Sequence, residues 1–286
     1  MNATLEPSNR ERKGTFEPDH AVDPEHPQHK QNHMNILLTN DDGITAPGLE
    51  HLVAIAARFG TVTVVAPDSP QSGQGHAITL NEPLWLKESD QFGPDIRAYE
   101  CSGTPVDCVK LAKSVIFQDQ KPDLCLSGIN HGSNAGINIL YSGTMSAAME
   151  ASLEGIPSIG FSFLDYRWEA EFEPCLPFVE QIIERVIQHG MSSTQLLNVN
   201  LPNGKEQPIR GIRICRQAEG RWKERYAEMT NPRGQKVYWL TGDFTMNDDS
   251  PDADVNALAA GYVSVVPSGH DLTAYAALEG LRFLEG

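Results

Sequence analysis

Two adjacent aspartates near residue 40 are the first candidates for chemistry. Asp41 and Asp42 stand in the sequence NDDG, directly after the apolar run NILLT. Neighbouring carboxylates repel each other at neutral pH, and a bound cation removes that repulsion. The motif therefore indicates a cation site. Asn-Asp-Asp-Gly is also good turn chemistry, and Asp caps helix starts, so a purely structural role stays open on this motif alone.

Oxygen-bearing side chains follow two further apolar runs in the same way. After TVTVVAP come Asp68, Ser69 and Ser72, and after DLCLSG come Asn130, His131, Ser133 and Asn134. Ligands of open parallel sheets bind outside the carboxyl ends of the strands, where the strand order reverses. Carboxylate, amide and hydroxyl oxygens suit Mg²⁺, Mn²⁺ or Ca²⁺, whereas zinc prefers His and Cys. Three such strand ends favour a divalent cation site over a simple turn.

A segment before a predicted helix could bind an anion. Ser142, Gly143 and Thr144 stand at the start of the predicted helix GTMSAAMEASLEG, whose free N–H groups and positive end favour phosphate. The similar segment SGTP is instead interpreted as a helix cap, with Pro105 at the first helical position. Neither segment matches the P-loop pattern. The short sequence distance to Asn134 favours phosphate binding by the first segment.

The elements that must position these residues alternate between strand and helix. Predicted strands are NILLT, TVTVVAP, PDLCLSG, IPSIGFSF and NVNLP, and predicted helices are GLEHLVAIAARFG, PVDCVKLAKSVIF, GTMSAAMEASLEG and PFVEQIIERVIQHG. This alternation is typical of an α/β protein with a mostly parallel sheet covered on both faces. From about residue 198 the pattern changes to strands, with a long β-hairpin predicted over residues 210–245.

Arginine and aromatic residues characterise the predicted hairpin. It contains Trp222, Tyr238 and Trp239 together with eight of the 22 Lys and Arg residues of the chain. A basic hairpin could contact nucleic acid, but aromatics and Arg in an otherwise acidic protein favour a subunit interface. The acidic segment NDDSPDADVNAL is interpreted mainly as a solvated turn and helix cap.

Composition excludes several classes of function. The chain has 286 residues and a net charge of −16, which argues against stable complexes with nucleic acid or anionic membranes. It lacks an apolar run of about 18 to 20 residues and a secretion signal, so we expect a cytoplasmic protein. Five widely spaced cysteines without a C-x-x-C pair indicate reduced thiols. Residues 1–33 are polar and rich in proline, and they are predicted to be a disordered extension before a domain over residues 34–286.

Six segments in the same order resemble the SurE family of stationary-phase survival proteins, which are 5'/3'-nucleotidases. They are NILLTNDDGITAPGL, VVAPDSPQSGQGHAITL, SGTPVDCVK, PDLCLSGINHGSNAG, YSGTMSAAME and DADVNALAAGYVSVVP, covering Met34 to about Ala274. The resemblance implies a three-layer α/β/α Rossmann-like core with a C-terminal β-hairpin extension. It also implies a metal-dependent phosphomonoesterase that hydrolyses nucleoside 5'- or 3'-monophosphates, with short polyphosphate as a further candidate substrate.

Specific site residues and partners follow from the resemblance. Its motifs place one divalent cation per subunit, Mg²⁺ or Mn²⁺ with Ca²⁺ also able to occupy the site, on Asp41, Asp42, Ser72 and Asn130. A homodimer or homotetramer through the hairpin is implied as well. We expect Asp41 or Asp42 to orient a water or take its proton. The remaining phosphate oxygens are assigned to Asn134, Ser142, Gly143 and Thr144. His131 could contact the leaving group or face solvent from its loop, and it is left outside the catalytic set.

Three alternatives fit parts of the pattern. A receiver domain also carries an acidic pair after its first strand, but it is about half this length and needs a later Lys. A haloacid-dehalogenase-type phosphatase uses a D-x-D nucleophile, whereas the aspartates here are adjacent. A nucleotide-binding scaffold would use the same pocket without turnover. Base preference and 3' versus 5' preference stay open.

Overall fold

The computed structural model describes residues 34–118, 120–205 and 207–285. The predicted disordered extension, residues 1–33, lies outside these described residues. Within the described part of the chain, no helix combines the length and apolarity needed to cross a membrane.

Nine strands form one mixed, mostly parallel sheet. They are β1 (Met34–Thr39), β2 (Gly60–Pro67), β3 (Leu86–Ser89), β4 (Arg97–Cys101), β5 (Leu124–His131), β6 (Ser158–Phe163), β7 (Leu196–Leu201), β8 (Gly211–Ile214) and β11 (Tyr262–Ser268). The strand order is β3-β4-β2-β1-β5-β6-β7-β11-β8. Only the β3–β4 and β7–β11 pairs are antiparallel. The predicted mostly parallel sheet is therefore confirmed.

Five α-helices accompany the strands in the part of the chain that the structure describes. They are α1 (Pro47–Ala56), α2 (Pro105–Leu111), α3 (Gly143–Leu153), α4 (Leu176–His189) and α5 (Asp254–Ala259). A π-helical segment, Ala112–Phe117, extends α2. The start of α2 confirms the interpretation of SGTP as a cap, because Thr104 and Asp107 form a capping box with Pro105 in the first turn.

The alternating side chains of β1 place a core on each face of the sheet. Ile36 and Leu38 belong to a cluster that includes Leu52 of α1 and Ile183 of α4. Leu37 points the other way and belongs to a cluster with α2 and α3. Successive side chains of a strand point to opposite faces, so a fully apolar strand needs helices on both sides. The three-layer α/β/α arrangement follows from this pattern.

The strand order reverses at the centre of the sheet, between β1 and β5. The chain proceeds from β1 outward through β2 and β4 on one side, and from β5 through β6 and β7 on the other. Both β1–β2 and β1–β5 are parallel pairs, so the carboxyl ends of β1 and β5 lie side by side. This reversal is the place where an open α/β sheet binds its ligand.

A separate two-stranded hairpin projects from the second half of the chain. Its strands are β9 (Gly220–Thr230) and β10 (Lys236–Met246). The hairpin extension is confirmed, but it begins later than the predicted boundary at about residue 210. Residues Gly211–Ile214 instead pair in parallel with β11 at the edge of the main sheet. The alternation of Ile and Arg predicted this strand. It did not predict the pairing partner, β11, which lies about 50 residues later in the sequence.

Candidate active site

Asp41 lies directly beyond the carboxyl end of β1 and is buried. Its backbone carbonyl accepts a hydrogen bond of 2.7 Å from the Gln71 amide, and its Oδ1 accepts one from the Thr144 hydroxyl. Burial, and secondly the neighbouring charge of Asp42, raises the pKa of Asp41 to about 6. In the described chain no Lys or Arg pairs with either carboxylate. A cation is the compensation that this environment favours.

Gly143 allows the start of α3 to approach Asp41 closely. A Cβ at residue 143 would lie 2.7 Å from the Asp41 Cβ and 2.8 Å from its Oδ2. Any larger side chain therefore conflicts with the carboxylate. The first turn of α3, with its free N–H groups, is held against the first aspartate because residue 143 has no side chain.

Asp42 is held by the residue that follows Asn130. Its Oδ2 accepts hydrogen bonds from the His131 backbone N–H at 3.1 Å and pairs with His131 Nδ1 at 2.9 Å. The imidazole stacks on Trp168 and meets Phe172 edge to face. Of the two positions considered for His131, the solvent-facing one is wrong, because these two aromatics, from the loop after β6, cover the ring. His131 Nε2 is buried and has no hydrogen-bond partner.

Asn130 stands near the end of β5, where an irregularity in the pairing with β6 shifts the register between Ser127 and Asn130. Gly128 has φ +125°, and a Cβ there would lie 2.3 Å from the Phe161 carbonyl oxygen. Only glycine fits this conformation and contact. The Asn130 amide donates to the Gly132 carbonyl at 2.8 Å, so its nitrogen is engaged and its Oδ1 is the ligand atom available.

Ser72 lies on an exposed loop that is tied down at several points. The Gln71 amide donates to Asp41, and the Gly75 amide donates to the Tyr141 carbonyl at 3.2 Å. Further along this loop, His76 Nε2 pairs with Glu150 Oε2 at 2.9 Å. Glu150 is buried on α3 and also binds Lys110. The hydroxyl predicted to bind a cation is thus carried on a segment anchored to both β1 and α3.

Ser142 and Asn134 flank the candidate anion site. Ser142 caps α3, because its Oγ accepts a 3.0 Å hydrogen bond from the Met145 amide. Asn134 is buried, and its side-chain nitrogen donates to Ser162 Oγ at 2.7 Å. Its backbone N–H donates to Asn200 Oδ1, and its carbonyl accepts from Asn198. Hydrogen bonds with side chains of β6 and β7 therefore hold loop 132–135 in place.

Asn198 and Asn200 were not predicted as supporting residues. They alternate within the buried strand LLNVNL, and Asn200 also donates to Asn198 Oδ1 at 2.9 Å. Two buried amides on one face of an apolar strand need partners, because unpaired buried polar groups are costly. That spacing was the available signal, and the partners are the loop that carries Asn134.

A cavity of about 350 Å³ brings most of the predicted residues together. Its wall includes Asp41, Ser72, Asn130, Asn134 and Ser142. Three other candidates do not line the cavity but contact residues that do. Thr144 and Gly143 contact Asp41, and Asp42 contacts His131. Asp68 and Ser69 are exposed, bond to each other and lie outside this wall. The end of β2 therefore contributes only the later part of its loop.

The donor chemistry of the cavity fits a hard divalent cation. The predicted ligands are the carboxylate of Asp41, the hydroxyl of Ser72 and the amide oxygen of Asn130 in its wall, with the carboxylate of Asp42 behind the wall. Mg²⁺, Mn²⁺ and Ca²⁺ accept all of these oxygens as ligands. In the described residues no group of three His, Cys, Asp or Glu side chains is arranged around a metal position. A zinc-type site is therefore not indicated there. Thr144 bonds to Asp41 Oδ1, and both hydrogen bonds from His131 go to Asp42 Oδ2, which leaves Asp42 Oδ1 available to a ligand.

Fold and site together define a doubly wound α/β protein that holds a cation-suited oxygen cluster beside a helix N-terminus. Comparisons with known proteins narrow this class. The family described as Survival protein SurE matches residues 36–224. The chain is 54% identical over 247 residues to the 5'-nucleotidase SurE of Flavobacterium psychrophilum, covering 86% of this chain and 96% of that protein.

Two further relatives support the same assignment. The 5'-nucleotidase SurE of Cytophaga hutchinsonii is 54% identical over 247 residues, with 86% of this chain and 95% of that protein covered. The crystal structure of the SurE protein from Aquifex aeolicus is 40% identical with a TM-score of 0.75, covering 88% of this chain and 100% of that chain. This chain belongs to the SurE family, as its sequence motifs predicted.

Proposed function

We propose that this protein is a divalent-metal-dependent phosphomonoesterase that hydrolyses nucleoside 5'- and 3'-monophosphates to nucleoside and phosphate. Its relatives are named 5'-nucleotidases, which supports the coarser activity on nucleotides. The observation that carries the proposal is the cavity at the strand reversal, where Asp41, Ser72 and Asn130 meet the N-terminal end of α3.

The charges of the cavity explain why a cation is part of the proposal. A phosphate monoester carries up to two negative charges, and this wall already contains a carboxylate in a protein of net charge −16. A divalent cation bound there would offset the phosphoryl charge and lower the pKa of an attacking water from its bulk value of about 15.7. Without that compensation, the substrate and Asp41 would repel each other.

The protein's own residues perform the remaining roles in this proposal. The Thr144 hydroxyl donates to Asp41 Oδ1 and the His131 backbone N–H donates to Asp42 Oδ2, which fixes the orientation of both carboxylates. One of these aspartates accepts the proton of the attacking water. Backbone N–H groups at the start of α3 and the Ser142 side chain receive the phosphate oxygens, because a helix N-terminus stabilises negative charge without reorganisation.

Subunit association through the hairpin belongs to the same proposal. The outer part of the hairpin exposes large apolar side chains, namely Tyr226, Met229, Tyr238, Trp239 and Leu240, each more than half exposed. A patch of this kind on an otherwise acidic protein favours an interface with a second copy. We propose a homodimer or a dimer of dimers. The cytoplasmic location expected from the sequence stays a prediction.

The test is phosphate release from a panel of 5'- and 3'-nucleoside monophosphates and short polyphosphate, with Mn²⁺, Mg²⁺ or EDTA. We expect release that needs the metal and that falls at least a hundredfold, about 3 kcal/mol, in Asp42→Asn. Asp243→Asn is the matched control, because Asp243 pairs with Arg225 on the exposed hairpin.

Three results would contradict the proposal. Nucleotide binding without release under any metal condition would favour the scaffold alternative. An aspartyl-phosphate trapped during turnover would favour the receiver-like or dehalogenase-like chemistry. Equal activity of wild type and the folded Asp42→Asn protein would remove Asp42 from the site.

A further inference from the structure

A second cavity adjoins the one that contains the aspartates. Its volume is about 470 Å³, which lies within the range of about 300 to 1,000 Å³ typical of small-molecule sites. Ser133, Asn138, Tyr166 and Trp222 line both cavities. The two spaces therefore meet along these four residues, and a ligand anchored in the first can extend directly into the second.

The hairpin supplies two aromatic side chains at this junction. Trp222 of β9 and Phe244 of β10 are register partners near the base of the hairpin, and their rings meet edge to face with centroids 5.5 Å apart. The Trp222 indole N–H donates to Asn138 Oδ1 at 2.7 Å. Asn138 lies in the 3₁₀ segment between β5 and α3, so the base of the hairpin is docked on the loop that leads into the anion site.

Tyr166 covers the same junction from another loop. A Cβ at Gly132 would lie 2.4 Å from the Tyr166 ring, so the ring packs directly on the glycine two residues after Asn130. Tyr166 is nevertheless 73% exposed. A large aromatic with one face on the backbone and most of its surface open is suited to stack with a flat ligand.

The wall of the second cavity that α5 forms is apolar, and it is hydrogen-bonded to the loop of the first cavity. It includes Val255 and Leu258 of α5. Asp254, at the start of α5, is completely buried and accepts hydrogen bonds of 2.9 Å from the Gly136 and Ala218 backbone amides. Asp254 is thus an exception to the interpretation of the segment NDDSPDADVNAL as mainly a solvated turn and helix cap. Because Asp254 bonds to the site loop, α5 and that loop form one support for both cavities.

We propose that the second cavity binds the nucleoside part of the substrate, with its base against Trp222 and Tyr166; this rests on the proposed nucleotidase function. A nucleobase combines an apolar flat face with polar edges, which matches aromatic walls and the amide side chains of Asn203 and Gln207 in the lining. Stacking on aromatics tolerates every base, so the pocket selects nucleotides over simple phosphate esters without a strong preference among bases. The hairpin base is thus part of the substrate site.

The kinetic test compares adenosine 5'-monophosphate with ribose 5-phosphate, which lacks the base. Base stacking contributes about 1 to 3 kcal/mol, so Trp222→Ala should lower kcat/KM for the nucleotide roughly tenfold to a hundredfold and leave ribose 5-phosphate nearly unchanged. Trp85→Ala is the matched control, since Trp85 is a partly exposed tryptophan that lies outside both cavity walls and outside the hairpin. Trp222→Phe, which keeps an aromatic face but loses the hydrogen bond to Asn138, should retain most of the discrimination.

Tyr166→Ala repeats the test without altering the hairpin, and it should show the same selective loss. Equal losses for both substrates in both variants would overturn the proposal, because they would indicate a general structural role. Wild-type kcat/KM values that are the same for the two substrates would also overturn it, while leaving the phosphatase activity intact.

Binding of adenosine in EDTA, measured by calorimetry, separates this proposal from the proposed function. We expect wild type to bind adenosine without metal and Trp222→Ala to bind it at least tenfold more weakly. If no substrate releases phosphate but adenosine still binds in this way, the nucleotidase function fails and the pocket stands. If adenosine binds wild type and Trp222→Ala equally, or binds neither, the pocket assignment fails.

Discussion

Replacement of Gly143 by alanine tests the contact between α3 and Asp41. The added Cβ would lie 2.7 Å from the Asp41 Cβ, whereas ordinary contacts begin at 3.4 Å, so one side must move by about 0.7 Å. Rotation of the carboxylate cannot relieve a contact made by its Cβ. Because a misplacement of about 1 Å at a catalytic group can cost about a hundredfold, we expect kcat/KM to fall 30- to 100-fold, about 2 to 3 kcal/mol.

The assay is metal-dependent phosphate release, accompanied by urea denaturation of the same protein. Overpacking should lower the free energy of unfolding by about 1 to 3 kcal/mol, which leaves a folded enzyme to measure. Gly280→Ala is the control, since nothing lies within 4 Å of a Cβ at that position. The substitution keeps the backbone N–H of residue 143. Unchanged activity in Gly143→Ala would therefore refute the close approach of α3 to the aspartate.

Four further predictions follow from the structure. The pKa of Asp41 is raised to about 6, so protons compete with the metal for this carboxylate. The affinity for Mn²⁺ should therefore fall about tenfold per pH unit below that value. Equal affinities, measured by calorimetry at about pH 5 and about pH 7.5, would contradict this. In the metal-free protein, the raised pKa of Asp41 contributes stability that is present below about pH 4 and is lost as the pH rises through 6. Thermal unfolding of the metal-free protein should show this loss of stability. A melting temperature without this pH dependence would count against the buried carboxylate. Glu150→Gln removes the charge that pairs with Lys110 and His76, and it should lower the free energy of unfolding by about 2 kcal/mol in urea titrations. Glu154→Gln is the control, because the pair of Glu154 with Lys113 is more exposed and its loss should change the free energy of unfolding little. Trp239→Ser should shift the protein towards monomers in light scattering, and an unchanged mass would argue against the hairpin interface.

Strand-end reasoning identified much of the site because it depends on a general property of parallel sheets. Once β1 and β5 were recognised as strands, Asp41 and Asn130 had to lie at the same edge of the sheet if the two strands were neighbours. The apolar character of both strands made that assignment available from sequence. The ligand set itself came from family motifs and stays a prediction.

Contacts between distant loops were not accessible in the same way. A solvent-facing position was one of two considered for His131, but Trp168 and Phe172 cover its ring from a segment more than 35 residues away. Thr144 was assigned to phosphate, yet its hydroxyl donates to Asp41. The start of the hairpin was placed too early because Gly211–Ile214 reads as a strand in either location. Each case depends on tertiary packing, which local patterns do not encode.

Anomalous diffraction from a crystal of the protein soaked in Mn²⁺ tests whether the predicted residues hold a metal ion. We expect one strong peak per subunit in the cavity, within about 2.0 to 2.6 Å of oxygens from Asp41, Asp42, Ser72 and Asn130. A peak absent from this cavity, or coordinated by other residues, would contradict the assignment of the site on which the proposed function depends.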